Sequence, residues 1–273
     1  MFSVADKAIW PKIKSYYFDN GYAIIDTHID DGIIESLSKD LYQWFENKKL
    51  PSNNVSYFAP NRLQDGWRID SRIKSIALDK TINSLLHFMY NRLPRPFQTL
   101  NFYQGTEQPE HSDAIHFNSE PFGMMCGVWL ALENINQDQG PLVFYPGSNK
   151  LPDMDFRDLG LMPKGSDFRE YSVAIKQMIL DHGFEPKYGL LKKGQAIIWS
   201  ANLLHGGSRR LSNKTRLSQV SHYYFENCRY WRPSASYETR AYFEPSWITT
   251  YETPCKLNPI SYFSKLIKRS IKE

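Results

Sequence analysis

The sequence predicts an α+β protein, with helices in its first third followed by a double-layered antiparallel barrel or jelly roll. Three observations carry that expectation. Up to about residue 98 the apolar side chains mostly recur at helical spacing, whereas from residue 99 the pattern switches to alternation. Met124, Cys126, Val128, Leu130 and Leu132 alternate with Met125, Gly127, Trp129 and Ala131, so both faces of that strand are mostly apolar and it belongs at the centre of a sheet. No internal repeat or low-complexity linker divides the 273 residues, which suffice for one large core. The chain therefore reads as a single domain over 1–273, with a helical scaffold at 1–98 and a barrel core at about 99–226.

Each element has a local cause. Residues 5–18 read as a helix that tolerates Pro11 only in its first turn, and Asn20-Gly21 stops it. Tyr22 to Ile25 is a short buried strand. Ile34, Leu37, Leu41, Trp44 and Phe45 mark an amphipathic helix that starts near Asp30 or Asp31. A polar loop with Pro51, Asn53, Asn54 and Pro60 follows. Asp79 is placed to cap a further helix bearing Ile82, Leu85, Leu86 and Met89, which ends before Pro94. After the central strand, Leu142 to Tyr145 continues the alternation and Pro146-Gly147-Ser148 turns. Residues 151–190 interrupt the barrel with one helix, carrying Tyr171, Ile175, Met178 and Ile179. Ala196 to Trp199 resumes the strands, His205 opens a glycine-rich bend, and Arg216 to Phe225 alternates again. The basic tail at 263–273, with Leu266, Ile267 and Ile271, suits a surface-docked helix better than a membrane anchor.

Composition narrows the partners. A hydrophobic share of 41% with 23% charged residues describes an ordinary globule, and the net charge of +4 is too small and too scattered to imply nucleic acid. Residues 122–132, the longest apolar run, are too short to span a bilayer. The cysteines, Cys126, Cys228 and Cys255, are odd in number and lack a CxxC spacing, which argues against a disulfide framework and for a reducing compartment. With no secretory pattern at the N-terminus, a cytoplasmic location is the default expectation.

The chemistry gathers around His111-Ser112-Asp113. On a strand, an imidazole and a carboxylate two residues apart project from one face and can share a metal ion if a third ligand arrives. His205, in Leu203-Leu204-His205-Gly206-Gly207, is the candidate. Two imidazoles and one carboxylate leave the opposite positions open, as in non-haem Fe(II) oxygenases. His-x-Asp alone is more often a hydrogen-bonded loop pair, so its company matters. Arg216 and Ser218 would present a guanidinium fork and a hydroxyl on one strand face. An arginine inside a barrel needs an anion, either an internal Asp or Glu or a dicarboxylate cosubstrate.

With these residues goes a resemblance. His111-Ser-Asp113, Trp129 within Gly127-Val-Trp-Leu-Ala-Leu-Glu-Asn, Gly140-Pro-Leu with Pro146-Gly-Ser-Asn-Lys, His205-Gly-Gly-Ser and Arg216 together resemble the phytanoyl-CoA dioxygenase (PhyH) family, from about Asp19 to Phe225. The resemblance implies a double-stranded β-helix (a cupin-like jelly roll) and an oxidoreductase using Fe(II), 2-oxoglutarate and dioxygen. It implies His111, Asp113 and His205 as metal ligands, Arg216 as the holder of the distal carboxylate of 2-oxoglutarate, and Trp129 as a wall of that pocket. Ser218, Asn101 and Tyr103 are softer candidates for cosubstrate contact. The reaction implied is hydroxylation of a small or carrier-linked metabolite with release of succinate and CO2. Asp113 favours that outcome, because related halogenases carry a small residue there. Two positions depart from the family pattern. Asn149 stands where a histidine is usual, and the extra glycine at Gly207 puts Ser208 one place late.

Other residues have weaker claims. His116 could face the cleft or hold a strand by hydrogen bonding, and His222 reads as a supporting or core histidine. His28, His87 and His182 lack partner acids at ligand spacing. Arg62 and Arg68 could guard the entrance for an anionic substrate, though solvated loop positions are the commoner outcome. Tyr230, Trp231 and Arg232 could form a lid or simply pack. Two rival readings use the same barrel: a zinc- or manganese-dependent isomerase or hydrolase, and a non-catalytic binding barrel. The segments that would shape the substrate site (51–70, 151–190 and 228–250, the last two as lid candidates) carry no transferable code. No basic cluster supports a coenzyme A thioester.

Overall fold

A computed structural model describes residues 1–161, 168–236 and 239–250. The basic tail and Cys255 lie outside the described residues. In chain order the elements are β1 (Phe2–Ser3), α1 (Trp10–Asn20), β2 (Tyr22–Asp26), α2 (Asp31–Glu46), β3 (Tyr57–Ala59), β4 (Arg62–Gln64), α3 (Ser71–Ala77), α4 (Lys80–Tyr90), β5 (Pro94–Phe102), β6 (Asn118–Glu120), β7 (Met125–Ala131), β8 (Leu142–Phe144), α5 (Phe168–Asp181), β9 (Lys187–Tyr188), β10 (Gln195–Ser200), β11 (His205–Gly207), β12 (Ser218–Phe225) and β13 (Arg229–Trp231).

The major sheet runs β1-β2-β10-β7-β12-β5-β4-β3, the minor sheet β11-β8-β9, and β13 pairs with β6. Among the described residues every strand pairing is antiparallel except β1 with β2. This is the α+β jelly-roll core expected. β7 sits mid-sheet between β10 and β12, as its two apolar faces require.

Strand alternation divides the interior into two cores. One face of the major sheet (Cys126, Val128, Leu130, Ile198, Phe225) meets the helical layer through Leu37, Leu41, Leu85 and Leu86. The other face (Trp129, Ile197, Trp199, Val220) packs toward Phe144 of the minor sheet. Helix α5 covers the minor sheet with Tyr171, Ile175 and Ile179 against Val143. The apolar stripes of α2 and α4 thus do what their periodicity predicts. Their N-caps are also as expected: Asp30 accepts from the Ile33 amide, and Asp79 from those of Thr81 and Ile82. Pro11 falls in the first turn of α1, and Gly21 ends that helix at φ 82°.

Two readings need correction. The stretch expected as polar loop contains the β3–β4 hairpin, which extends the major sheet along β5. Three-residue strands are too short to display a period. The neighbouring helix α3, capped by Asp70, also gave no clear stripe. Strand β5 begins at Pro94, earlier than the switch at residue 99. Its prolines masked it; they are tolerated because the register shift against β12 lies there and β4 reaches only Leu100 to Phe102. Among the described residues, no helix is long and apolar enough to cross a membrane.

Asp79→Ala is expected to lower the free energy of unfolding by about 1 kcal/mol through loss of the α4 cap. A shifted urea midpoint at unchanged slope would register it, and Asp79→Ser should restore most of the loss.

Candidate metal centre

His111 and His205 face each other across an antiparallel bridge, each amide donating to the other's carbonyl at 2.9 and 3.0 Å. Asp113 is not on a strand, contrary to the expectation from His-x-Asp. Ser112 caps a 3-10 turn over Asp113–Ile115: its hydroxyl accepts from the Ala114 amide and donates to the Ala201 carbonyl. The turn still brings the Asp113 carboxylate under both rings. Asp113 Oδ1 lies 3.6 Å from His111 Nε2 and 3.8 Å from His205 Nε2. One donor atom from each of the three residues falls within 4.8 Å of the others, and all three side chains are buried.

The imidazoles are set for coordination. His111 Nδ1 donates to the Pro109 carbonyl and His205 Nδ1 to that of Leu203, each at 2.9 Å, so each Nε2 presents a lone pair to the centre. Burial pushes the His205 imidazole down to about 4, which keeps it in the neutral form a metal takes. Burial alone would raise the Asp113 carboxyl; the neighbouring His205, His111 and His222 outweigh it and hold the group well below the usual carboxylate range. The donor set therefore fits a divalent metal ion with open positions.

Asp113 Oδ2 is held from behind. Trp199 Nε1 donates to it at 2.8 Å, and His222 Nε2 stands 3.6 Å away. Gly127 on β7 makes this possible. It is the register partner of Trp199, and a methyl group at its Cα would overlap the indole. Trp199 was missed as a site residue in the sequence; a glycine interrupting an apolar central strand was the signal that a large ring lies across it.

The three candidate ligands open into a cleft of about 210 Å³ that extends to Arg216. Arg216 is 3% exposed. One of its terminal nitrogens donates to the Gly140 carbonyl at 2.7 Å, while its Nε has no hydrogen-bond partner among the described residues. Its guanidinium lies over Trp129 at 5.3 Å and near Phe102 at 5.7 Å. Among the described residues no carboxylate lies within ion-pair distance of it, and burial, reinforced by Arg210, pushes its pKa down to about 10. A buried cation in this state is matched to an incoming anion.

The structure thus brings His111, Asp113, His205, Arg216 and Trp129 into one cleft. It does not do so for three others. Asn101 points to the helical face of β5, where its amide donates to Gln219 Oε1, because Gln98, Leu100 and Phe102 take the cleft face. Tyr103 lies just past β5 and donates to Glu46. Ser218 is fully buried, donates to the Arg216 carbonyl and does not line the cleft. Ser208 donates to the Pro141 carbonyl, and Asn149 to that of Phe18.

Several secondary candidates also find places. Arg62 and Gln64 line the cleft from β4, a consequence of the unforeseen hairpin, whereas Arg68 stacks on Trp67 outside it. His116 lines the cleft with Nδ1 3.2 Å from Ser234 Oγ, and His222 lines it with Nδ1 2.9 Å from Gln98 Oε1. Tyr230 and Trp231 are buried on β13.

Comparison with known proteins agrees with this geometry. The phytanoyl-CoA dioxygenase (PhyH) family model matches residues 17–218. The peroxisomal phytanoyl-CoA dioxygenase of Rattus norvegicus is 21% identical over 245 residues, covering 80% of this chain and 69% of that one. The structure of the epimerase SnoN in complex with Fe3+, alpha ketoglutarate and nogalamycin RO superposes with a TM-score of 0.66 at 17% identity, over 89% of this chain and 100% of that one. EctD from S. alaskensis with 2-oxoglutarate and 5-hydroxyectoine gives 0.63 at 15% identity, over 90% and 85%. At such identities these two structures establish the fold.

Trp199→Phe keeps the ring and removes the N–H that holds Asp113. Metal affinity, titrated with Mn(II), is expected to fall about 10–100-fold. Gly127→Ala should weaken metal binding in the same direction and, by overpacking, destabilise the fold by about 1–3 kcal/mol in a denaturant titration.

Proposed function

Because the chain belongs to the phytanoyl-CoA dioxygenase family, we propose that it is an Fe(II)- and 2-oxoglutarate-dependent dioxygenase that hydroxylates a small or carrier-linked metabolite. The observation that carries this reading is one cleft holding both an open His/Asp/His set and a buried guanidinium with no anionic partner among the described residues. His111, Asp113 and His205 are the residues that would hold the ferrous ion, and Arg216 the distal carboxylate of the cosubstrate. When bound, iron with 2-oxoglutarate and dioxygen supplies an oxidative decarboxylation that yields succinate and CO2 and oxidises a substrate C–H bond.

The chain's own contributions follow from its contacts. A His205 imidazole kept neutral and an Asp113 carboxylate held ionised need no proton rearrangement before a metal binds. Trp199 restrains Oδ2, so Asp113 offers Oδ1 to the centre. The Arg216 fork, backed by Trp129 and Phe102, gives a carboxylate a rigid and water-poor seat. Gln98, Gln108, His116 and Phe117 form the remaining wall, where a substrate with polar groups would be oriented. A carboxylate at position 113 supports hydroxylation over halogenation, since it fills the place a halide would need. SnoN is described as an epimerase; an oxygenated product, heavier than its substrate by the mass of one oxygen atom, is the expected outcome that separates hydroxylation from epimerisation.

A zinc or manganese isomerase or hydrolase would use the same three ligands but leaves Arg216 without a task. The rat relative is described as peroxisomal, which sets a second compartment beside the cytoplasm expected from the cysteine pattern.

Anaerobic addition of Fe(II) and then 2-oxoglutarate to metal-free protein is expected to give a weak visible metal-to-ligand charge-transfer band. Arg216→Ala should weaken cosubstrate binding by about 2–5 kcal/mol, and the band should vanish at the same concentration. Tight zinc or manganese binding with no such band would transfer the assignment to the hydrolase or isomerase class. Asp113→Ala should abolish succinate formation; unchanged succinate would sink the proposed ligand set.

A further inference from the structure

A line of oxidisable side chains leads from the metal centre to the surface. Trp199 touches the centre twice: its N–H bonds Asp113 Oδ2 at 2.8 Å, and its ring centroid lies 5.1 Å from that of His205. Its register partner on β2 is Tyr22, and the two belong to the same buried cluster. Tyr22 is 4% exposed, and its hydroxyl is 2.7 Å from that of Tyr16, with the rings 5.5 Å apart. Tyr16 is half-buried on α1. Lys187 Nζ donates to the Tyr22 oxygen at 3.3 Å, and either hydroxyl of the Tyr22–Tyr16 pair can donate to the other.

The hydroxyl pair distinguishes this line from the other aromatic clusters. A phenol gives up an electron near neutral pH only if its proton has somewhere to go. Tyr224, stacked on Phe97 near His222, has a buried hydroxyl with no partner among the described residues. Tyr17 and Tyr90 bond one another at 2.6 Å, but Tyr17 is sealed from solvent on the helical side of the sheet. Only the Tyr22–Tyr16 pair, among these three, joins a proton partner to a surface exit.

We propose that Trp199, Tyr22 and Tyr16 form a one-electron relay that discharges an oxidising equivalent to the surface when dioxygen reacts at the metal with no substrate in the cleft. The relay rests on the dioxygenase reading and adds a self-protective function to it. Trp199 would give one electron to a metal held by His111, Asp113 and His205, and a soluble thiol would supply the second electron that returns that metal to its ferrous state. Tyr22 then restores Trp199; its O–H bond breaks, its proton passes to the Tyr16 oxygen, and the proton of Tyr16 leaves to water. Tyr16 returns an electron and a proton to Tyr22 and becomes the neutral radical. A soluble thiol finally donates a hydrogen atom to Tyr16, ending as a thiyl radical.

The test is substrate-free turnover of the holoenzyme with Fe(II), 2-oxoglutarate and dioxygen, with catalase present and thiols omitted, followed by peptide mass spectrometry. Oxygen addition or cross-linking is expected at Tyr16 and Tyr22, with Tyr17 and Tyr224 unmodified. In Tyr22→Phe, oxidation should retreat to Trp199 and leave Tyr16 unmodified. Tyr16→Phe, a milder change near the surface, should leave the modification on Tyr22. Succinate formation with unmodified Tyr16 and Tyr22 overturns the relay alone, as does continued modification of Tyr16 in Tyr22→Phe. Failure of the unsubstituted protein to form any succinate overturns the dioxygenase reading, and the relay with it.

Discussion

A carboxylate removed from water must be compensated, and the architecture around Asp113 is arranged to do so. At 5% exposure the Asp113 side chain sits among three imidazoles and accepts the Trp199 N–H. Those partners come from four separate places in the chain: the segment before the 3-10 turn, β10, β11 and β12. Assembling them requires the major sheet to be in register, with β7 in the middle and a glycine opposite the indole. The fold and the centre are therefore one constraint. Shifting β10 by one residue would turn Trp199 toward the helical layer and leave Oδ2 without its donor.

What could be read from the sequence follows the range of the interactions involved. The two apolar faces of residues 124–132, the stripes of α2 and α4, and the caps at Asp30 and Asp79 depend on near neighbours, and they were legible. The residue types and order of His111, Asp113, His205 and Arg216 were legible too, since few other chemistries need that set. Face assignment was harder. The family resemblance offers Asn101 and Tyr103 as cosubstrate contacts, but the parity of β5 gives the cleft to Gln98, Leu100 and Phe102 instead. Arg62 could not be placed while the β3–β4 hairpin was hidden in a polar stretch. Trp199 and Gly127 meet across two strands, a contact that no local pattern encodes.

The helical and cleft faces of the major sheet also divide labour. Stability is concentrated on the helical side, where Leu37, Leu41, Leu85 and Leu86 close over a mostly apolar sheet surface whose buried amides, Asn101 and Gln219, bond one another. On the other side the same strands alternate polar with aromatic residues, and the minor sheet closes over them only partly, leaving the cleft. A site rich in buried polar groups is thus supported by a core that has few.

Arg216 gives that division a thermodynamic meaning. Among the described residues its buried charge has one carbonyl hydrogen bond from a terminal nitrogen and no partner for Nε, an electrostatic penalty that an anion relieves. By linkage, any dicarboxylate that binds the native chain and not the unfolded one adds stability in proportion to the logarithm of its concentration. On the dioxygenase reading, the lifetime of the folded protein is coupled to the supply of its own cosubstrate. A cell poor in 2-oxoglutarate would then lose the enzyme's activity and, through turnover of the less stable free form, its abundance as well.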